Sequence, residues 1–180
     1  MVESSNATGT VEFAPMKGKV AVVRLIGRCT FQNSAYLAKA AEICEHELGP
    51  CSFVLDLERC EAMDSTFLGV LAGIALRERQ LGLGNLIAVN VSEKLRRSLS
   101  LLGLPFVMDI RDRLPESAPA QEIEVTEGDR VEISRADQVA HMIQAHRQLV
   151  ELDSDNEVKF EDVLKYLGES LTRARQDNKK

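Results

Sequence analysis

The stretch Met63-Asp64-Ser65-Thr66 stands immediately ahead of a long apolar run. An acidic residue and two hydroxyls in that position read as the start of a helix. Unpaired backbone N–H groups point outward there, and the helix dipole favours negative charge. Ser65 is therefore well placed to carry a phosphate. Phosphorylation adds roughly −1.5 to −2 charges, enough to reverse an interface by repulsion and desolvation without refolding a domain. Plain helix capping is the competing role for the same residues. Nucleophilic catalysis at Ser65 is not expected, because no G-x-S-x-G elbow surrounds it and no partner histidine is suggested.

Other chemistry-bearing residues point to packing more than to sites. Cys29, Cys44, Cys51 and Cys60 show no C-x-x-C spacing, and His46, His141 and His146 are scattered, so no metal or other cofactor is expected. Cys44 and Cys51 read as small core hydrophobes. Cys29 and Cys60 fall in expected loops near Ser65, which leaves a thiol-based sensor as an alternative. His146 lies on the apolar face of a helix and reads as packed. Residues 153–157 imitate the start of a calcium loop, but Val158 and Leu164 stand where Gly and Glu are required. Gly82-Leu-Gly84 follows a helix and precedes a strand, the wrong order for a dinucleotide loop.

The elements that must position Ser65 follow from periodicity. Residues 11–13, 19–26, 52–57, 86–91 and 106–110 read as strands. Leu37, Ala41, Cys44 and Leu48 share one face of a helix ended by Gly49-Pro50. Residues 67–81 form a helix apolar on nearly every side, with Gly69 and Gly73 expected to let it sit close to a sheet. Ser92 caps a short helix carrying Leu95, Leu99 and Leu102. Residues 10–112 thus form an α/β domain, a mixed sheet with helices packed on it. Residues 113–133 are a linker in which 122–125 and 130–133 could pair as a hairpin around 126–129. Residues 134–175 form a C-terminal α-helical hairpin, opened by a capping box at 134–137. Its first helix carries Val139, Met142, Ile143, His146, Leu149 and Val150 on one face; its second carries Phe160, Val163, Leu164, Leu167 and Leu171. These stripes must bury against each other, the first domain or a second copy. Self-association, as a homodimer through the hairpin, or a second docking surface is the expectation, because the stripes exceed what one hairpin hides. The tail from Arg175 is expected to fray.

Charge narrows the classes further. The 180-residue chain has a formal net charge of −6. Its first 112 residues carry 12 Lys/Arg against 13 Asp/Glu, the remainder 10 against 15. Without clustered Lys/Arg it is a poor nucleic-acid binder. No run approaches a membrane span and no export signal opens the chain, so a cytoplasmic protein with reduced thiols is expected.

The segment from Asp56-Leu57 through Met63-Asp64-Ser65-Thr66 to Leu68-Gly69 resembles the signature of the STAS domain, the anti-sigma-factor antagonist family. The resemblance covers about residues 10–112 and includes the order of strands and helices. It implies a bacterial phosphoprotein in signal transduction and transcription regulation, a protein-binding switch and not an enzyme. Ser65 would be the phosphoacceptor. A serine-kinase anti-sigma factor would modify it and a PP2C-type phosphatase would reverse the change. Asp64, Ser65, Thr66, Phe67 and Gly69 would contact the partner. An alternative within the fold is a scaffold subunit, stressosome-like or of lipid-transport type, without a phosphoswitch. Two positions depart from the family pattern. Phe67 replaces the usual Gly beside the acceptor, and Gly27-Arg28-Cys29-Thr30 ends in Thr where the family has an acidic residue.

Overall fold

A computed structural model describes residues 9–16, 19–112, 126–128 and 132–177. The first unit contains β1 (Thr10–Met16), β2 (Val20–Cys29), α1 (Phe31–Leu48), β3 (Ser52–Asp56), β4 (Cys60–Met63) and α2 (Ser65–Gln80). β5 (Leu86–Val89), α3 (Glu93–Leu101), a 3-10 turn (Leu104–Phe106) and β6 (Met108–Arg111) complete it. β7 (Thr126–Gly128), α4 (Arg135–Leu152) and α5 (Asp155–Asp177) follow. The described strands form one mixed sheet in the order β6-β5-β3-β2-β1-β7, with β4 also on β2. β1 pairs antiparallel with β2 and β7; the other pairings are parallel.

Alternation along the strands builds the core. Phe13, Val23, Leu25, Phe53, Leu55, Leu86 and Ala88 project to the face that α1, α2 and α3 cover. Ala14, Val22 and Val54 form a smaller apolar strip on the other face. There Arg24 lies 3.8 Å from both Glu12 and Asp56. Ser92 caps α3 as expected, accepting from Leu95 N.

Several expectations are corrected. Cys60 belongs to strand β4, not to a loop. β4 exists because Gly27, at φ 69°, allows a bulge in β2 that carries its end away from β3 and onto Cys60–Met63. Cys29 closes β2. Residues 126–128, read as the tip of a hairpin, instead lie on β1 as an edge strand; 122–125 and 130–131 fall outside the described residues. Leu48 is 37% exposed instead of facing the core. The helix α5 runs on to Asp177.

The hairpin packs on α2. One hydrophobic core runs from the sheet through α2 into Ala145, Leu149 and Phe160. The sheet, the α1–α2 layer and the hairpin are thus stacked as three layers. Fully burying Leu149 alone stabilises this stack by about 2 kcal/mol. The corner of the hairpin is tied down too: buried Asn156 donates to Leu102 O and Leu149 O, and Lys159 donates to Leu101 O. Much of both stripes is buried within the chain, while Val158, Val163 and Tyr166 remain exposed on α5.

Candidate functional site

The site is assembled where two helices begin side by side. Asp64 leaves β4 in extended conformation and caps α2, its Oδ1 accepting from Phe67 N at 2.8 Å. Its Oδ2 accepts from Phe31 N, in the first turn of α1, at 2.7 Å. One carboxylate therefore closes the starts of both α1 and α2, where two positive helix ends converge. Thr30 caps α1 in a reciprocal box with Asn33, so the Thr at this position has a structural use. Ser65 is the first residue of α2 and is partly exposed.

The helical period then sorts the residues assigned to the partner surface. Phe67, Leu71 and Ala75 are spaced i, i+4, i+8 and point into the sheet core, each 0% exposed. Phe67 therefore places no ring beside the acceptor. Thr66 is 3% exposed. Ser65, Gly69 and Gly73 form a second stripe that faces α4, not the sheet as expected for the two glycines. A Cβ at Gly69 would lie 2.2 Å from Ala145 O, and one at Gly73 would lie 3.3 Å from Gln148 Cγ. Only glycine at 69 permits this approach of two helix backbones.

The same stripe gives Ser65 a partner that the sequence did not reveal. Its Oγ lies 3.0 Å from His146 Nε2. His146 Nδ1 lies 2.8 Å from Met142 O; a carbonyl only accepts, so Nδ1 carries the proton and donates. Nε2 of the neutral ring is then the acceptor, and the Ser65 hydroxyl donates to it. Phe160 packs edge-on against the imidazole, with ring centroids 4.9 Å apart. A second pin joins α4 to α1: Ser34 Oγ donates to Phe31 O and lies 2.9 Å from His141 Nε2. Burial holds His141 below the usual histidine range. The two histidines are separated by five positions, and nothing in that spacing marks serine partners more than 80 residues away.

A groove of about 360 Å³ runs between α1, α2 and α4, lined by Glu45, Gly69, Gly73, His141 and Gln148 among others. Neither Ser65 nor His146 lines it, so the Ser65–His146 pair has no adjoining substrate cavity in that groove. The thiols are packed in two pairs. Cys44 and Cys51 sulfurs are 3.4 Å apart. Hydrogen bonding to Cys60 and burial hold Cys29 well above the usual thiol range, and Cys51 is raised likewise by Cys44 and burial. All four are buried, which suits packing better than sensing. Glu78, on the sheet side of α2, is 1% exposed and accepts from Phe53 N at 2.9 Å. Burial pushes its carboxyl up to about 7.

The STAS-domain family model covers residues 14–117. A Thermotoga maritima protein assigned to the anti-sigma factor antagonists has a similar structure. Identity is 23%, with 57% of this chain and 86% of that chain covered and a TM-score of 0.50. The anti-sigma factor antagonist SpoIIAA in its unphosphorylated form is also similar, at 19% identity, 58% and 89% coverage and a TM-score of 0.48. The Bacillus cell-fate determinant SpoIIAA in its phosphorylated form gives 21%, 56%, 90% and 0.46. No curated protein matches the sequence. No described helix is long and apolar enough to cross a membrane.

Proposed function

The chain belongs to the STAS-domain family, and on that premise we propose that it is a regulatory protein-binding switch of the anti-sigma-factor antagonist type. Ser65 is its phosphoacceptor, a serine-kinase anti-sigma factor its partner, a PP2C-type phosphatase its resetting enzyme, and the cytoplasm its place of action. The observation that carries this reading is the position of Ser65 as first residue of α2, directly after the Asp64 cap and beside the start of α1. Two helix N-termini favour an added phosphate there, while the phosphate's charge beside Asp64 repels an acidic partner. With Thr66, Phe67 and Gly69 buried, partner contact in this arrangement falls on Asp64 and Ser65.

Mass spectrometry of protein from its native cell is expected to find phosphate on Ser65. Pull-downs should recover an anti-sigma-type kinase with Ser65→Ala and lose it with Ser65→Asp. Identical partners for both variants, with no phosphate found, overturn the switch. The bond from Ser65 to His146 favours a second reading, a scaffold subunit in which the serine is a structural contact. That reading expects stable complexes insensitive to Ser65→Asp.

A further inference from the structure

The partner surface around Ser65 is already occupied by a helix of the same chain. α4 lies along the Ser65–Gly69–Gly73 stripe with Ala145 against Gly69, Gln148 against Gly73 and His146 on the serine hydroxyl. This is a surface shaped for a helix that presents small residues at the closest approach. We propose that the α4–α5 hairpin is an intramolecular occupant of the Ser65 face, and that its docking and a phosphate on Ser65 exclude one another. The inference rests on the reading of Ser65 as phosphoacceptor and adds the device that regulates it.

The chemistry of the contact dictates the exclusion. Transfer of a phosphoryl group from a nucleoside triphosphate forms an Oγ–P bond and breaks the bond from the γ-phosphorus to the diphosphate leaving group. The hydroxyl proton is lost to the kinase's base or to solvent. That proton is the one His146 Nε2 accepts. The phosphate offers acceptors in its place, so the contact in which Nε2 accepts from the serine, with Nδ1 on Met142 O, is lost. A tetrahedral phosphoryl group also cannot fit inside a 3.0 Å contact. α4 is seated with Ala145 against the backbone of α2 at Gly69, so making room for the phosphate means moving the helix outward. Docked α4 therefore engages the hydroxyl of the partly exposed, unmodified Ser65, and modified Ser65 expels α4. A protein partner that uses the stripe must displace the same helix.

The test uses the full chain made with phosphoserine at position 65, compared with the unmodified chain by hydrogen exchange. Phosphoserine should lower protection of the α4 amides at least tenfold while the strands β2, β3 and β5 keep theirs. Unchanged α4 protection overturns the proposal. A second arm places a cysteine at the site (Ser65→Cys), where the four native thiols are buried, and follows labelling by an aromatic disulfide reagent. Adding Ala145→Arg, or the milder His146→Ala should the arginine unfold the strands, is expected to speed labelling at least tenfold; an unchanged rate overturns the engagement by α4. Neither arm needs a kinase. Absence of native phosphate would instead refute the switch itself and leave the exchange result standing.

Discussion

The two faces of α2 are built on opposite principles. One turns Phe67, Leu71 and Ala75 into the sheet core, where each is inaccessible to solvent. The other presents Ser65, Gly69 and Gly73 to α4 through a backbone approach, a hydroxyl and little apolar volume. Large side chains interdigitated with a sheet make a contact that opens only with the whole fold. The α4 face is held by the Ser65–His146 and Ser34–His141 contacts, the Asn156 and Lys159 bonds at the hairpin corner, and the burial of Ala145, Leu149 and Phe160, and it is expected to open before the sheet does. The same helix thus walls the sheet core on one side and seats α4 on the other.

The largest effect is expected on the core face. Phe67→Ala should cost about 4 kcal/mol of global stability, the usual penalty for a cavity of that size, read from the urea midpoint. A loss under about 1 kcal/mol would mean that the ring is not the anchor described here.

Next comes the buried acid on that face. Glu78 binds its proton more tightly folded, at about 7, than at its ordinary 4.5. The unfolded chain releases the proton first as pH rises. The stability that protonated Glu78 contributes is therefore complete below about pH 4.5 and lost as pH passes about 7. Glu78→Gln keeps an acceptor for Phe53 N and stays neutral. It should flatten this dependence and gain roughly 3 kcal/mol at pH 8 relative to the parent, measured by denaturation at several pH values.

The smallest effect is expected on the α4 face. Gly69→Ala gains about 1 kcal/mol of helix propensity but drives a methyl group into the Ala145 backbone. A net loss of about 1–2 kcal/mol should follow, confined to α4 in hydrogen exchange. Equal loss of protection across the sheet would show that the two faces are not separable.

Much of the first unit is legible in the sequence because its signals are local. Alternating apolar residues mark β2 and β3, Ser92 and Ser134 mark helix starts, and Asp64-Ser65 marks the start of α2. β4 is not legible, since Cys60–Met63 becomes a strand only where the Gly27 bulge presents an edge to it. The spacing of Gly69 and Gly73 announces a close approach without saying to what. Glu78 looks like one more surface acid of an amphipathic helix until Phe53, lying just before the β3–β5 pairing begins, needs a partner for its N–H.

The sequence by itself determined the order of elements, the family and the candidate serine, because caps, periodicity and the Met-Asp-Ser-Thr motif act over a few residues. Only the tertiary structure decided what faces that serine. The Ser65–His146 bond spans 81 positions and forms because burying Ala145, Leu149 and Phe160 against α2 brings α4 over the site. Hydrophobic burial is non-directional. It told the hairpin to pack, and the glycine stripe, the serine and the histidine told it where.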